Sequence, residues 1–460
     1  MERTKKPDFT NGKVLKNLIF FAIPMAIAAL LQMLFNAADV AIVGQFGGSE
    51  YQAAVGATSS TVHIIVNLFM GVAIGANVAM ANAVGAKDEP RQQKVVHSSI
   101  ALALVSGFII LFAGWFLSRP ILSAIKTPSE IIDYSVVYMQ IYFLGAPAMM
   151  VYNFGASVQR GVGETKKPVY YLLVAGILNV LINAVTVIFL HLHVIGVALG
   201  TTVSQYLAAA WLLFDLFKAK DGSNFSPKKL RFHAKETKTI LVIGLPMGLS
   251  SCCFSLANLL VQSSVNAYGE LAIAGNTVAS NLGQIGDAFA SSVEKSVVTI
   301  VGQNMGAKKP ERLHRIIGAG LVACATCQTV LGTLLFLFGN YICMIYNADP
   351  VVIEWALKRL GMIETLHILT CGMYIFGGAL RGMGYSFFPM FINLFFSCIC
   401  RILYLVFIYA AMPVQTIQAV YLVYPVTWIL ASAFQALFYF VCVRKEKRAH
   451  AYHSAFQNYV

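Results

Sequence analysis

The sequence predicts an all-α polytopic membrane protein, with twelve transmembrane helices in two pseudo-symmetric six-helix lobes. Of its 460 residues, 58% are hydrophobic and 12% are charged, a balance too apolar for a soluble protein with a single core. Apolar stretches of about 20 residues, long enough to cross a bilayer core, recur along the whole chain. Short motifs also recur in the same order in both halves, which indicates an internal duplication.

The predicted helices follow the apolar stretches, and the polar segments between them are mostly short. The twelve predicted ranges are 16–44, 53–83, 94–117, 131–156, 168–190, 195–218, 239–267, 274–304, 315–338, 354–378, 387–410 and 417–443. An even number of crossings puts both termini on the same side of the membrane. The longest polar connection divides the helices six and six.

Basic residues indicate the orientation. Most of the 33 Lys and Arg residues fall in loops on the side of the termini, whereas the opposite loops hold only Arg119, Lys126, Lys358 and Arg359. The positive-inside rule then places both termini in the cytoplasm. We therefore expect a multi-pass protein of a bacterial-type cytoplasmic membrane. Its predicted parts are an N-lobe, a cytoplasmic inter-lobe linker, a C-lobe and a cytoplasmic tail, at 1–218, 219–238, 239–443 and 444–460.

The two halves share motifs at offsets of 221 or 222 residues. The matched pairs are Pro24-Met25 with Pro246-Met247, Asn36 with Asn258, Gly85-Ala86-Lys87 with Gly306-Ala307-Lys308, and Arg160-Gly161-x-Gly163 with Arg381-Gly382-x-Gly384. Because each repeat has six helices, both lobes enter the membrane from the same face. Their symmetry axis must lie along the membrane normal, an arrangement of transporters that handle substrate between the lobes.

One carboxylate lies inside the first predicted helix. A buried charge at this depth costs several kcal/mol unless it has a partner or a function, so Asp39 is the first candidate for a functional residue. Gln32, Asn36 and Asp39 fall at i, i+4 and i+7, a polar stripe that we expect to face a protein interior or a watery cavity. Gln32 and Asn36 are therefore candidate substrate-binding residues. The alternative is an acid neutralised in a helix contact for stability alone.

Other features exclude several classes of protein. The net charge of +13 is spread over short loops, so we expect no nucleic-acid partner. The chain has no G-x-S-x-G, H-E-x-x-H or P-loop motif, so we expect neither an enzyme nor a resident cofactor. The nine cysteines lie mostly in apolar stretches, as small buried hydrophobes do. The expected partners are small molecules and the lipid bilayer, and nothing demands more than a monomer.

Several motifs in joint order resemble the multidrug and toxic compound extrusion (MATE) transporters, roughly from Leu15 to Val443. They are the Pro24 helix that ends in Asp39-Val40-x-x-Val43-Gly44, the two Gly-Ala-Lys segments and the paired Arg-Gly-x-Gly turns. The resemblance implies a V-shaped bundle and a secondary antiporter that exports cationic or amphipathic compounds in exchange for Na+ or H+ by alternating access. The alternative is a lipid-linked oligosaccharide flippase of the same superfamily, although flippases commonly have more helices and a cationic central cavity.

The resemblance also implies an ion-coupling site in the N-lobe. Carried over residue by residue, it falls on Asp39, Asn179, Asn183 and either Thr201 or Thr202. Asn179 and Asn183 lie one helical turn apart. Carboxylate, amide and hydroxyl oxygens suit Na+, with Asp39 as a ligand, or can hydrogen-bond a protonated acid. Some family members carry an aspartate at the position of Asn183, so its absence here leaves sodium and proton coupling open.

Pro24 is the candidate hinge of the first helix. A proline inside a helix removes one backbone hydrogen bond and bends the helix. Ion binding at Asp39 could use this bend to reshape the substrate cavity.

The C-lobe carries a second set of ionisable residues. The resemblance makes Glu294 and Glu364 candidates for substrate or Na+ binding, and His367, one turn from Glu364 on the same helix, is a further candidate for substrate binding. The alternative is internal pairing of Glu294 or Glu364 with Lys295 or Arg401. For Lys295 and Arg401 we favour the pairing.

Overall fold

The structure is a computed structural model that describes residues 9–457, with the side chains of residues 59, 60, 63 and 450–457 left out. Fifteen α-helices account for most of the described chain. They are α1 (Val14–Ile42), α2 (Ser49–Gly85), α3 (Glu89–Ala124), α4 (Ser129–Leu144), α5 (Ala146–Val162), α6 (Lys166–Ala184), α7 (His193–Phe217), α8 (Ala234–Asn266), α9 (Glu270–Gly306), α10 (Leu313–Met344), α11 (Pro350–Arg359), α12 (Thr370–Gly382), α13 (Phe387–Leu394), α14 (Cys400–Leu403) and α15 (Ile417–Gln457).

These helices form the predicted membrane passages. Ten helical stretches of the described chain are long and apolar enough to cross a membrane, and α4 with α5 makes another, bent by 46°. The remaining passage is α9, which is more polar because Asp287, Glu294 and Lys295 lie along it. In the passages of α11–α12 and α13–α14, π-helical or 3-10 turns interrupt the α-helix. The predicted all-α, multi-pass fold class is confirmed.

The described chain packs as two compact units. One is Ile27–Gly248, and the other comprises the chain from Leu249 onward together with the start of α1 up to Ala26. Each boundary falls two residues after a proline inside a helix, Pro24 in α1 and Pro246 in α8. Packing therefore divides these two helices, whereas the predicted lobe limits of 1–218 and 239–443 assign each helix to one lobe.

The first unit is built on side chains of α2, α3, α4, α5 and α7. Its core includes the fully buried Met80, Ile100, Phe143, Phe154 and Leu212. Close-packed apolar side chains of this kind hold helices together where lipid supplies no hydrophobic driving force. This core fixes the position of α7, which carries part of the candidate site.

The second unit is built on α9, α10, α12 and α15, with the start of α1 packed among them. Leu18 and Phe21 of α1 join a buried cluster that contains Val297, Ile375 and Tyr439. A further cluster packs α8 against α15 and the stretch from α13 to α14. The second cluster contributes Val261, Ile363 and Trp428 to the wall of a polar cavity.

The internal repeat is also present in the backbone. Three pairs of residues with left-handed φ lie 221 positions apart: Gly48 and Gly269, Lys87 and Lys308, and Gly163 and Gly384. The first pair precedes α2 and α9, the second follows these helices, and the third follows α5 and α12. After α2 the N–H of Asp88 donates to the Ala83 carbonyl at 3.0 Å, and after α9 the N–H of Lys309 donates to Asn304 at 2.9 Å. The repeated motifs thus specify equivalent helix ends.

Candidate functional site

Asp39 lies near the end of α1, and its side chain is buried in the first unit with 8% exposure. Its Oδ1 accepts a hydrogen bond from Asn183 Nδ2 of α6 at 2.6 Å. Its Oδ2 accepts from the Thr201 hydroxyl of α7 at 3.3 Å. The carboxylate therefore joins three helices, α1, α6 and α7.

Asn179 completes this cluster. It is buried one helical turn before Asn183. In the amide orientation that suits its neighbours, its nitrogen donates to Asp39 Oδ1 at 2.8 Å and its oxygen accepts from the Thr201 backbone N–H at 3.1 Å. The hydrogen-bonding network assigns this orientation. The sequence prediction thus names four residues that the structure brings together: Asp39, Asn179, Asn183 and Thr201.

Gly200 allows α6 and α7 to approach at this point. A Cβ atom on Gly200 would collide with the Asn183 side-chain oxygen and lie 3.0 Å from its Cγ. It would also lie 3.2 Å from the Asn179 carbonyl oxygen. Sequence analysis did not single out this glycine, because only the packing of two helices shows which glycine lies against the site.

The cluster can hold a proton or a small cation. Asp39 receives N–H and O–H donors and has no basic partner among the described residues. The Asn183 Oδ1 atom is buried and has no hydrogen-bond partner within the described chain. Rotated amides would therefore add oxygens to those of Asp39 and Thr201, a hard-oxygen set that fits Na+. A proton on Asp39 would instead turn one acceptor into a donor.

Three predicted site residues of α1 and α7 lie outside this cluster. The Thr202 hydroxyl donates to the Ile141 carbonyl of α4 at 2.8 Å, because adjacent helix positions point about 100° apart. Of the two candidate threonines, only Thr201 bonds Asp39. Gln32 and Asn36 are exposed on α1, whereas Asp39 is buried. The predicted polar stripe is therefore divided between an exposed part and the buried cluster.

The second unit contains a polar cavity of about 300 Å³. Glu364 and His367, both predicted as substrate-binding residues, line it together with Asp287 and Arg359. The remaining wall is made of amide, hydroxyl, aromatic and apolar side chains. It includes Phe254, Asn258, Asn276, Tyr374, Tyr424 and Trp428.

His367 lies between the two acids of this cavity. Its Nε2 is 3.3 Å from Asp287 Oδ1, and its Nδ1 is 3.6 Å from Glu364 Oε2. Asp287 also accepts a hydrogen bond from the Tyr374 hydroxyl at 2.9 Å. On the same wall, Arg359 Nη1 donates to Asn276 Oδ1 at 2.7 Å. The cavity thus presents acids and a guanidinium together.

Irregular backbone accompanies both sites. A π-helical segment, Val43–Gly47, follows the helix that carries Asp39, and another, Val185–Phe189, follows Asn183. In the second unit the π-helical segment Leu360–Glu364 begins directly after Arg359 and ends at Glu364. Such turns are rare and occur frequently at functional sites. In a membrane protein they are tolerated where protein or a cavity satisfies the backbone.

Glu294 is not part of the cavity wall. Its carboxylate pairs with the guanidinium of Arg381, and both side chains are buried. The prediction that Glu294 binds substrate is therefore not supported by its position. The alternative of internal pairing holds, but the partner is Arg381 rather than Lys295 or Arg401. Arg381 belongs to the repeated Arg-Gly-x-Gly motif, 87 residues away, a separation that no local spacing reveals.

Arg401 has no carboxylate partner among the described residues. Its Nη1 donates to Asn258 Oδ1 at 3.0 Å and its Nε to the Thr427 hydroxyl at 3.4 Å. The predicted pairing of Arg401 with Glu294 or Glu364 is therefore wrong. The sequence places Arg359 in a loop, whereas in the structure it ends α11 and lines the cavity.

Comparisons with known proteins identify the family. The MatE family model matches residues 24–185 and again residues 246–407. The two matches are displaced by 222 residues, which agrees with the internal repeat. The chain is 26% identical to the probable multidrug resistance protein YpnP of Bacillus subtilis over 392 residues, which covers 85% of this chain and 87% of YpnP.

Another relative and a solved structure agree with this assignment. The chain is 26% identical to the probable multidrug resistance protein NorM of Thermotoga maritima, over 83% of this chain and 82% of NorM. A crystal structure of MATE in the bent conformation superposes with a TM-score of 0.90 at 20% identity. It covers 98% of this chain and all of the other, so the two proteins share a fold. The chain therefore belongs to the MatE family of membrane transporters.

Proposed function

We propose that the protein is a secondary antiporter that exports cationic or amphipathic compounds in exchange for Na+ or H+ by alternating access. The observation that carries this proposal is the buried Asp39 carboxylate, surrounded by neutral donors in a transporter of this family. The names of the relatives, multidrug resistance proteins, support an export function. A membrane-buried acid without a basic partner is expensive unless an ion uses it.

Proton binding at Asp39 would rearrange its neighbours. The charged carboxylate can accept from Asn179, Asn183 and Thr201 together. A protonated carboxyl presents an O–H donor, so one of these donors must turn away or find a new acceptor. Asn183 Oδ1 has no hydrogen-bond partner within the described chain, so it can accept from this O–H once the amide turns. Ion occupancy is thereby linked to the contact between α6 and α7.

Sodium binding would use the same side chains in another orientation. Na+ requires oxygen ligands, so both asparagine amides must present oxygen rather than nitrogen to the ion. The Asp39 and Thr201 oxygens complete a set of four side chains. Both versions of the proposal predict that ion binding reorients Asn183, and the sodium version predicts that Asn179 turns as well.

Pro24 provides the proposed hinge. It lies inside α1, two residues before the point at which the two packing units divide this helix. Asp39 is in the part of α1 that packs with the first unit, and the part before Ile27 packs with the second. If ion binding at Asp39 moves the part of α1 that follows Pro24, the bend of α1 at Pro24 must change as well.

We propose that the cavity of the second unit contributes to substrate binding. Its acids, Asp287 and Glu364, supply negative charge, and Trp428 and Tyr424 supply aromatic faces that attract cations. His367 connects the two acids. A flippase for lipid-linked sugars would instead need a cationic cavity for phosphate, and the names of the relatives favour drug export.

The proposed membrane is the bacterial cytoplasmic membrane, with both termini in the cytoplasm. The distribution of Lys and Arg over the loops supports this orientation. A fluorescent-protein fusion at the C-terminus checks it, since green fluorescent protein exported through the general secretory route does not fluoresce. A dark fusion that is present at normal abundance would contradict the orientation.

Efflux of ethidium from proteoliposomes tests the proposed function. We expect an imposed Na+ or proton gradient to drive ethidium transport by the wild type and not by Asp39→Asn. Asp215→Asn is the matched control, because Asp215 is a half-buried acid of the same unit that is already paired with Lys167. Wild-type protein that ignores both gradients and instead moves a lipid-linked sugar would reject the antiporter and establish the flippase.

A further inference from the structure

The polar connection between α7 and α8 packs against the first unit. Phe225, near its middle, is 6% exposed, and its backbone N–H donates to the Leu216 carbonyl of α7 at 3.0 Å. The side-chain amide of Asn224 donates to the Phe217 carbonyl at 2.8 Å. This connection therefore has a defined position on the helices, and residues 219–233 are called the strap below.

His97 of α3 is the residue on which the strap rests. Its side chain is buried, and its ring centroid lies 5.6 Å from that of Phe225. Its Nδ1 is 2.7 Å from the Gln93 carbonyl oxygen. Because a carbonyl oxygen can only accept, Nδ1 carries the proton and Nε2 accepts from the backbone N–H of Ser226 at 3.2 Å. The strap is thus bound to the neutral form of His97.

Two further contacts hold the end of the strap and the start of α8 beside His97. The Ser98 hydroxyl accepts from the backbone N–H of His233 at 3.1 Å. The Nε of Arg91 in α3 lies 3.4 Å from a carboxylate oxygen of Glu236 in the first turn of α8, and Glu236 is buried. Since α8 is one of the two helices that the packing units divide, a restraint at its start limits how this helix can move.

A proton on His97 would oppose this packing. Both ring nitrogens of a charged imidazole are donors, so Nε2 would face the backbone N–H of Ser226, donor against donor. The charged groups that face His97 and His233 come from α3, the strap and α8: Lys94, Arg91, Arg231 and Glu236. Three of these four are basic, and Glu236 is already paired with Arg91. The surroundings therefore favour the neutral histidine while the strap is packed.

His233 acts in the same direction. Burial, together with nearby Arg231, His97 and Lys94, holds the pKa of His233 below its ordinary value. A histidine whose pKa is lowered by packing takes up its proton more readily once it is released. The contribution of such a histidine to packing is complete at high pH and is lost as the pH falls through the range of about 8 to 5, in which histidines titrate.

We propose that the strap is a pH-sensitive restraint on α8, which protonation of His97 releases from α3. In the proposed orientation the strap faces the cytoplasm, so an acidic cytoplasm would release it. The start of α8 would then be held less firmly, and transport would be faster. The release of the strap does not depend on the proposed function, whereas its effect on transport rests on it.

Fluorine NMR on the purified full-length protein measures the release. A 4-fluorophenylalanine in place of Phe225 reports whether this ring is buried against His97 or exposed, because exchange of H2O for D2O shifts the signal of a water-exposed fluorine. The ratio of packed to released strap should fall by roughly 5-fold to 150-fold between about pH 8 and pH 5, since a buried donor left without an acceptor costs about that factor.

Variants of the two histidines locate the effect. His97→Gln offers an amide oxygen to Ser226 and cannot be charged, so together with His233→Gln it should remove the pH dependence. His97→Lys is charged throughout, and its strap should be released even at the alkaline end of the titration. His314→Gln is the matched control, because His314 lies at the start of α10 in the second unit and contacts Tyr439. It should behave like the wild type.

Two results would overturn the inference at the level of structure. One is a wild-type ratio of packed to released strap that does not change over the titration. The other is a folded variant with both glutamines that keeps the wild-type change. If His97→Lys does not fold, the glutamine variants still decide between these results.

Ethidium efflux at one alkaline pH and with equal gradients tests the effect on transport. His97→Lys should transport faster than His97→Gln, and equal rates of the two folded variants would reject control of transport by the strap. A wild type that releases the strap but shows no gradient-driven efflux would support the release and reject the antiporter. Gradient-driven efflux by a wild type whose strap does not respond to pH would support the antiporter and reject this inference.

Discussion

Gly200→Ala is the sharpest perturbation of the Asp39 cluster, because it changes no polar group. The added methyl group would overlap the Asn183 side-chain oxygen and press on the Asn179 carbonyl at 3.2 Å. Overpacking of this kind costs about 1–3 kcal/mol of stability. Asn183 must also move away from Asp39, and its 2.6 Å hydrogen bond to the carboxylate is then weakened or lost.

The expected shift in the half-activating ion concentration follows from the loss of that hydrogen bond. A hydrogen bond to a charged group contributes about 1.5–3 kcal/mol, which corresponds to roughly 10-fold to 150-fold in an equilibrium constant. For a proton-coupled transporter, the half-activating proton concentration should fall, because the charged carboxylate loses a donor. For a sodium-coupled transporter, the half-activating Na+ concentration should rise, because an oxygen ligand is displaced. The direction of the shift therefore identifies the coupling ion.

The assay is gradient-driven ethidium efflux from proteoliposomes over a range of pH and Na+ concentrations. Gly56→Ala is the matched control, since a Cβ atom at Gly56 of α2 would have no neighbour within 4 Å. We expect this control to behave like the wild type. If folded Gly200→Ala shows the same ion dependence as Gly56→Ala, the link between α6–α7 packing and ion coupling is refuted.

Three further variants test other parts of the account. Glu294→Gln should lower the thermal stability by about 3–5 kcal/mol, because it leaves the Arg381 guanidinium buried and unpaired; an unchanged melting temperature would contradict this. Thr201→Val should shift the ion dependence of efflux several-fold, whereas Thr202→Val should not, since only Thr201 donates to Asp39; equal effects would reject the assignment. Pro24→Ala should bind ethidium normally but transport it more slowly, and normal coupled transport would reject the hinge.

The sequence predicted the fold well, because its signals are local and repeated. Apolar length fixes a membrane passage, and the duplicated motifs fix the register of the two repeats. The passage of α9 shows how the repeat adds to hydropathy. Asp287, Glu294 and Lys295 lower its hydropathy, but its Gly306-Ala307-Lys308 end matches the end of α2. The equivalent left-handed residues, Lys87 and Lys308, show that this match is structural.

Some residues of the candidate sites could be predicted and others could not, because the sites depend on contacts between helices that are distant in the sequence. Asn179 and Asn183 share a face of one helix, which spacing alone reveals. Choosing between Thr201 and Thr202 requires the positions of α1 and α4, which no local pattern supplies. Arg359 and Glu364 are five residues apart, a spacing that an α-helix does not place on one face but a π-helical turn can.

Charge pairing in the second unit was predicted least well. The sequence predicts that Glu294, if it is paired, meets Lys295 or Arg401, because both basic residues fall inside predicted helices. The structure pairs it with Arg381 at the end of α12. That exchange leaves Arg401 without an acid among the described residues, and Asn258 and Thr427 accept its hydrogen bonds instead.

The central claim is that Asp39 exchanges a coupling ion for substrate, and reversed antiport measures this most directly. Proteoliposomes are given an inward or outward ethidium gradient with no ion gradient, and the movement of 22Na+ and of protons is recorded. The account predicts that the wild type moves one of these ions against the direction of the dye, and that Asp39→Asn moves neither. Ethidium flux through the wild type without any counter-movement of Na+ or H+ would contradict it.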